Sequence, residues 1–231
     1  MREHSIKVRR SARYYTLGPD DDRAVRDVWF VLHGYGQLAA QFIKVFEVVD
    51  DGTRLIVAPE ALNRFYVSSV DSTPAAERAV GATWMTREDR LNDIDDYVAY
   101  LDNVSAQVLD RFRANGKLPR VVLLGFSQGT ATAARWVGHG SLRPAHVVFW
   151  GGLLPPDAQL SARDHPLRRA KLHVLIGSRD RFTANEVIAA EERRLRETGL
   201  SVQVERYTGG HGIAKDALVK LARSLDTLPN E

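Results

Sequence analysis

The chain has 231 residues, of which 44% are hydrophobic and 26% charged, with a formal net charge of +3 and no cysteine. Such a composition excludes a disordered chain, a disulfide scaffold, thiolate metal sites and a cysteine nucleophile, and it fits a single domain spanning residues 1–231. Basic residues come in pairs such as Arg9-Arg10, Arg168-Arg169 and Arg193-Arg194, interleaved with acids, so they read as solvated surface and no nucleic-acid partner is expected.

No apolar run approaches the roughly 18 residues of a membrane span. The opening MREHSIKVRRSARYY carries positive charge but no apolar core of a signal peptide. A cytoplasmic protein without an integral membrane segment is the expectation, as a monomer or homodimer.

In chain order, residues 5–17 predict one or two N-terminal strands, followed by a turn at GPDDD. Short apolar runs at 27–34, 54–60, 120–127, 145–152 and 171–180 predict buried strands, since they are rich in Val, Ile, Leu and aromatics and mostly end at Gly or Pro. Residues 201–212 begin with apolar–polar alternation, which suits a strand near a sheet edge. Between them, residues 92–115 place Ile94, Val98, Leu101, Val104, Val108 and Phe112 at helical spacing before Gly116. Residues 128–137, 183–198 and 213–225 predict three further helices. Strand–helix alternation of this kind implies an α/β fold, with a mainly parallel sheet and helices on both faces. Two stretches break the rhythm and read as irregular insertions, 61–90 and 153–170.

One stretch carries chemistry. In VVLLGFSQGTATAARWVG, residues 121–138, a buried strand ends in Gly125-Phe126-Ser127-Gln128-Gly129, a G-x-S-x-G pattern before a small-residue helix. A strand that turns abruptly into a helix presents the central hydroxyl at the sheet edge, and side chains two positions to either side would collide with neighbouring backbone. The helix N-terminus favours negative charge developing there. A hydroxyl also needs a base, and the base needs an orienting acid. In this fold they follow in the order serine, acid, histidine, each beyond a strand. Asp180, after LHVLIGS, and His211, in YTGGHGI, fill those places. His4, His139, His146, His165 and His173 fit less well, lying in a terminus, a helix end, strands or a polar loop. Asp157 and Asp164 read as turn residues. For an oxyanion hole, one amide comes from Gln128 and the other from the loop His33-Gly34-Tyr35-Gly36, in which His33 reads as structural.

With these motifs in order, the chain resembles the phospholipase/carboxylesterase family of serine α/β-hydrolases, the group that includes acyl-protein thioesterases. FVLHGYG, IVAPEA, TWM, LLGFSQG, GSRD and GGHG carry the resemblance from Val28 to near Leu225. The family implies a single-domain α/β-hydrolase fold and a triad of Ser127, Asp180 and His211. It also implies an oxyanion hole made by the amides of Tyr35 and Gln128, with no metal or cofactor. The implied substrate is a small-molecule acyl ester, cleaved through an acyl-enzyme, with thioesters, lysophospholipids or an idle receptor role as alternatives. The sequence departs from the pattern in GFSQGTAT, Gln37 and GSRDRFT, all bordering the pocket.

The insertion 61–90 offers Phe65, Tyr66, Trp84 and Met85. Either they pin a long loop to the core, or Phe65, Trp84 and Met85 line a shallow substrate pocket suited to short acyl groups. Arg64, Arg78, Arg87 and Arg90, with Arg163, Arg168 and Arg169 from the second insertion, read as solvated or as part of the same walls.

Overall fold

The computed structural model of the protein describes residues 1–68, 77–158, 160, 162, 164–182 and 185–227. Seven strands form one sheet: β1 (Tyr14–Leu17), β2 (Asp27–Leu32), β3 (Arg54–Pro59), β6 (Arg120–Phe126), β7 (His146–Trp150), β8 (Lys171–Gly177) and β9 (Val202–Tyr207). Their spatial order is β1-β3-β2-β6-β7-β8-β9. Only β1 is antiparallel to its neighbour. A separate two-stranded hairpin, β4 (Asn63–Tyr66) and β5 (Val80–Thr83), stands beside it.

The apolar runs are continuous because both faces of each central strand are covered. Val28, Phe30 and Leu32 of β2 join a core with α2 (Arg90–Ala114), α3 (Gln128–His139) and α4 (Asn185–Glu197). Trp29 and Val31 point the other way, into a core closed by α1 (Ala39–Phe42), the 3₁₀ turns Ile43–Val49 and α5 (Lys215–Asp226). The expected α/β fold, with a mainly parallel sheet and helices on both faces, is the one observed. No described helix is long and apolar enough to cross a membrane.

Some local expectations differ. Residues 5–13 form no strand; this Arg- and Lys-rich stretch is exposed and is held by contacts such as Lys7 Nζ to Asp96 at 2.6 Å and Glu60 N–H to Arg13 O at 3.0 Å. The first insertion contains the β4–β5 hairpin rather than loop throughout, although 69–76 lie outside the described residues. Residues 39–49, unassigned from sequence, form α1 and the turns after it. Residues 183 and 184, at the start of the third expected helix, also lie outside the described set.

At the end of the sheet where the parallel strands begin, two histidines are buried side by side. His146 Nδ1 lies 3.2 Å from His173 Nε2, with 2% and 4% of the two residues exposed. Burial, then the neighbouring His173, Arg120 and Lys171, push His146 down to about 4. The unfolded chain therefore takes up this proton first as pH falls below 6.5, and folded stability is fully present above that value. It declines toward pH 4, by about 3 kcal/mol from this group. Urea denaturation of the wild type and His146→Gln across that window measures it; the variant is expected to lose part of the slope, and an unchanged slope contradicts the assignment.

Candidate active site

The site is built where β6 becomes α3. Ser127 joins them with φ 53° and ψ −115°, a left-handed conformation that is costly for a side-chain-bearing residue. Its backbone is held by Ser127 N–H donating to Trp150 O at 2.9 Å. The flanking glycines are required by space: a Cβ on Gly125 would lie 2.2 Å from Gly129 O, and one on Gly129 would lie 2.3 Å from Leu32 O. The helix thus packs against both β6 and β2 at its first turn.

The carboxyl ends of β8 and β9 bring the other two residues to this serine. His211 Nε2 is 2.9 Å from Ser127 Oγ, and His211 Nδ1 is 2.8 Å from Asp180 Oδ2. A carboxylate only accepts, so Nδ1 carries the proton and the Nε2 lone pair faces the hydroxyl. The Asp180 side chain is fully buried, and its Oδ1 accepts from Phe182 N–H at 2.9 Å. The acid turn is tied to the histidine loop by Ser178 N–H to Tyr207 O and Arg179 N–H to Gly209 O, both 2.8 Å. Tyr207 Oη donates to Gly212 O at 2.6 Å and accepts from Trp150 Nε1 at 2.9 Å, fixing the other side of that loop. Phe126 and Phe182 flank the imidazole, with ring centroids 5.1 and 4.7 Å away.

The loop 33–36 lies directly against the serine: a Cβ on Gly34 would be 3.2 Å from Ser127 Cβ. Gly34 N–H donates to Gln37 Oε1 at 2.8 Å, and Gly36 N–H to Ala82 O at 2.9 Å. The amides of Tyr35 and Gln128 make no hydrogen bond to the described residues, which leaves both available to a substrate oxygen. His33 is fully buried, donating from Nδ1 to Gly34 O at 2.8 Å and accepting from Ala61 N–H at 3.0 Å. Burial lowers its pKa. It is a neutral brace of the loop.

Sequence reasoning missed the side chain of Gln128. Its Oε1 accepts from Trp84 N–H at 3.1 Å, while Nε2 donates to Met85 O and Thr83 Oγ1, both at 2.9 Å. Trp84 in turn donates from Nε1 to His33 O at 2.9 Å. The two candidate oxyanion segments are thereby braced through residues 83–85.

Trp84 corrects the pocket reading. It is 1% exposed, packs on His33 with ring centroids 5.1 Å apart, and belongs to the core rather than to a substrate wall. Met85 is half-buried against the same core, and Arg135 Nη1 approaches its sulfur at 3.3 Å. Phe65 is half-buried and packs with its ring tilted against Tyr35, centroids 5.0 Å apart, so it remains beside the serine's loop. Trp84→Ala is now expected to cost about 3–5 kcal/mol of stability, readable by urea denaturation; unchanged stability would contradict its core placement.

The second insertion is fastened by Asp157, which accepts from Arg135 Nη2 at 3.0 Å and Arg90 Nη2 at 2.5 Å. Burial opposes its charge, but the hydrogen bonds from these two guanidiniums prevail and hold it down to about 2. Arg64 pairs with Glu60, and Arg168 donates to the carbonyls of Leu160 and Thr198. These arginines are structural; Arg163 lies outside the described residues. Among the described residues, no group of three or more His, Asp or Glu is placed to hold a metal ion.

A buried acid, an imidazole and a serine hydrogen-bonded in line at the carboxyl ends of the strands, with the Tyr35 and Gln128 amides unpartnered among the described residues, define a serine hydrolase of the α/β-hydrolase fold. A family model described as Serine hydrolase (FSH1) matches residues 29–220, and the chain belongs to that family. This agrees with the phospholipase/carboxylesterase-type resemblance drawn from the motifs. No curated protein gives a significant sequence match. Similar solved structures include esterase PE8, 22% identical, covering 93% of this chain and 98% of that one with a TM-score of 0.64. Acyl-protein thioesterase 2 of Zea mays is 18% identical over 94% and 98%, with a TM-score of 0.68. A carboxylesterase of Mesorhizobium loti is 16% identical over 94% and 95%, with a TM-score of 0.64. At these identities the likeness is one of fold.

Proposed function

We propose that the protein hydrolyses carboxylic esters of short to medium acyl chains through an acyl-enzyme on Ser127. The observation that carries this is the unbroken line from Ser127 Oγ through His211 to Asp180, at 2.9 and 2.8 Å. Ser127 Oγ attacks the acyl carbonyl as its proton passes to His211 Nε2. Asp180 holds the imidazole in the accepting tautomer and stabilises it once it is charged. The amides of Tyr35 and Gln128 donate to the oxyanion, and His211 then returns the proton to the leaving alkoxide. Water repeats the sequence on the acyl-enzyme and frees Ser127.

A thioester substrate would use the same machinery. Intact-mass analysis after a fluorophosphonate probe, followed by acetyl, butyryl and palmitoyl esters and thioesters compared by kcat/KM, tests the reading. One adduct on Ser127 with butyryl ester preferred supports it; no adduct overturns the mechanism, and palmitoyl or thioester preference overturns the substrate.

A further inference from the structure

The triad stands at the carboxyl ends of the strands, and the opposite end of the sheet carries a cavity that this chemistry does not use. It has a volume of about 720 Å³ and opens between α2, the segment 117–121, the loop 141–146 and the start of β8. That volume falls within the roughly 300–1,000 Å³ typical of small-molecule sites. Its lining holds seven lysines and arginines and not one aspartate or glutamate.

Three of these cations are neutralised from outside the cavity: Arg26 by Asp226, Arg113 by Asp110 and Arg120 by Asp27. The other four are not. Arg143 donates only to the carbonyls of Gly140 and Leu142, and Lys117, Arg169 and Lys171 have no carboxylate partner among the described residues. Four cations without a carboxylate partner among the described residues thus border one concavity. Gathered like charges raise one another's energy, and low-dielectric walls focus their field on an anion. The lining also includes apolar surface: Leu118 is 61% exposed.

We propose that this cavity binds a phosphate-bearing small organic molecule, with Lys117, Arg143, Arg169 and Lys171 meeting the phosphates and Leu118 its apolar body. The cations come from separate segments converging on a concavity, which suits a compact ligand better than an extended strand.

Calorimetric titration with ATP, inorganic pyrophosphate and adenosine tests this on the wild type, on Lys117→Glu/Arg169→Glu and on the milder Lys117→Gln/Arg169→Gln. Both positions are exposed, so neither variant disturbs the core. ATP is expected to bind, more tightly than pyrophosphate, and adenosine not to bind. Added salt should weaken the interaction, and the double reversal should weaken it by about tenfold or more, the milder pair by less. Hydrolysis of p-nitrophenyl butyrate should stay unchanged in both variants. Absence of ATP binding at millimolar concentration, or equal affinity in the variants, overturns the site. Pyrophosphate matching ATP, or adenosine matching it, overturns the ligand class. An oligonucleotide held through the same residues while ATP is not would put an extended strand in place of the small molecule.

Discussion

Ser127→Ala is expected to lower kcat by on the order of 10⁴-fold or more while the fold survives. The loss is large because no other group takes over the covalent step, and such a factor corresponds to about 5.5 kcal/mol of barrier. Survival of the fold has a local reason. The Ser127 hydroxyl makes no capping bond to α3, and among the described residues its one partner is His211, so truncation removes one partly exposed hydrogen bond. Alanine meets the same backbone cost at φ 53° as serine does. The comparison needs kcat for p-nitrophenyl butyrate beside a thermal melt of both proteins. A folded variant within tenfold of wild type would remove Ser127 from the mechanism.

Asp180→Asn should be nearly as damaging, on the order of 10⁴-fold in kcat, with little change in stability. The asparagine amide has the shape of the carboxylate, and its oxygen can still accept from Phe182 N–H, as Asp180 Oδ1 does at 2.9 Å. Its NH₂ then faces His211 Nδ1, which must become an acceptor. The ring proton moves to Nε2, and the nitrogen 2.9 Å from Ser127 Oγ can no longer take a proton. Loss of turnover with an unchanged melting curve is the expected signature. Wild-type turnover in the variant would show that another group orients His211.

Much of this was legible in the amino-acid sequence, because the signals were local. Buried strands read as unbroken apolar runs, and the elbow glycines at 125 and 129 are demanded by contacts within the strand–helix turn and the adjoining β2. Chain order then singled out Asp180 and His211 among many acids and six other histidines, since each follows a strand whose carboxyl end reaches the same edge. The edge strand β9 likewise showed its place through the alternation at its start, with Val202 and Val204 half-buried and Gln203 exposed.

Where contacts join residues far apart in the chain, periodicity is silent. Whether Trp84 lines a pocket or fills the core depends on His33, 51 positions earlier, and on Gln128, 44 positions later. An aromatic in an irregular stretch carries no phase that would say which way it points. The β4–β5 hairpin escaped notice for the same reason, its two four-residue strands being too short to show a period. Asp157 looked like a turn residue until Arg90 and Arg135 closed on it from two helices. The sequence by itself determined the class of fold and the turn at Ser127, since those rest on neighbours along the chain. Only the tertiary structure decided which side chains brace the candidate oxyanion loops, which aromatics are core, and where the basic charge converges, because those rest on neighbours in space.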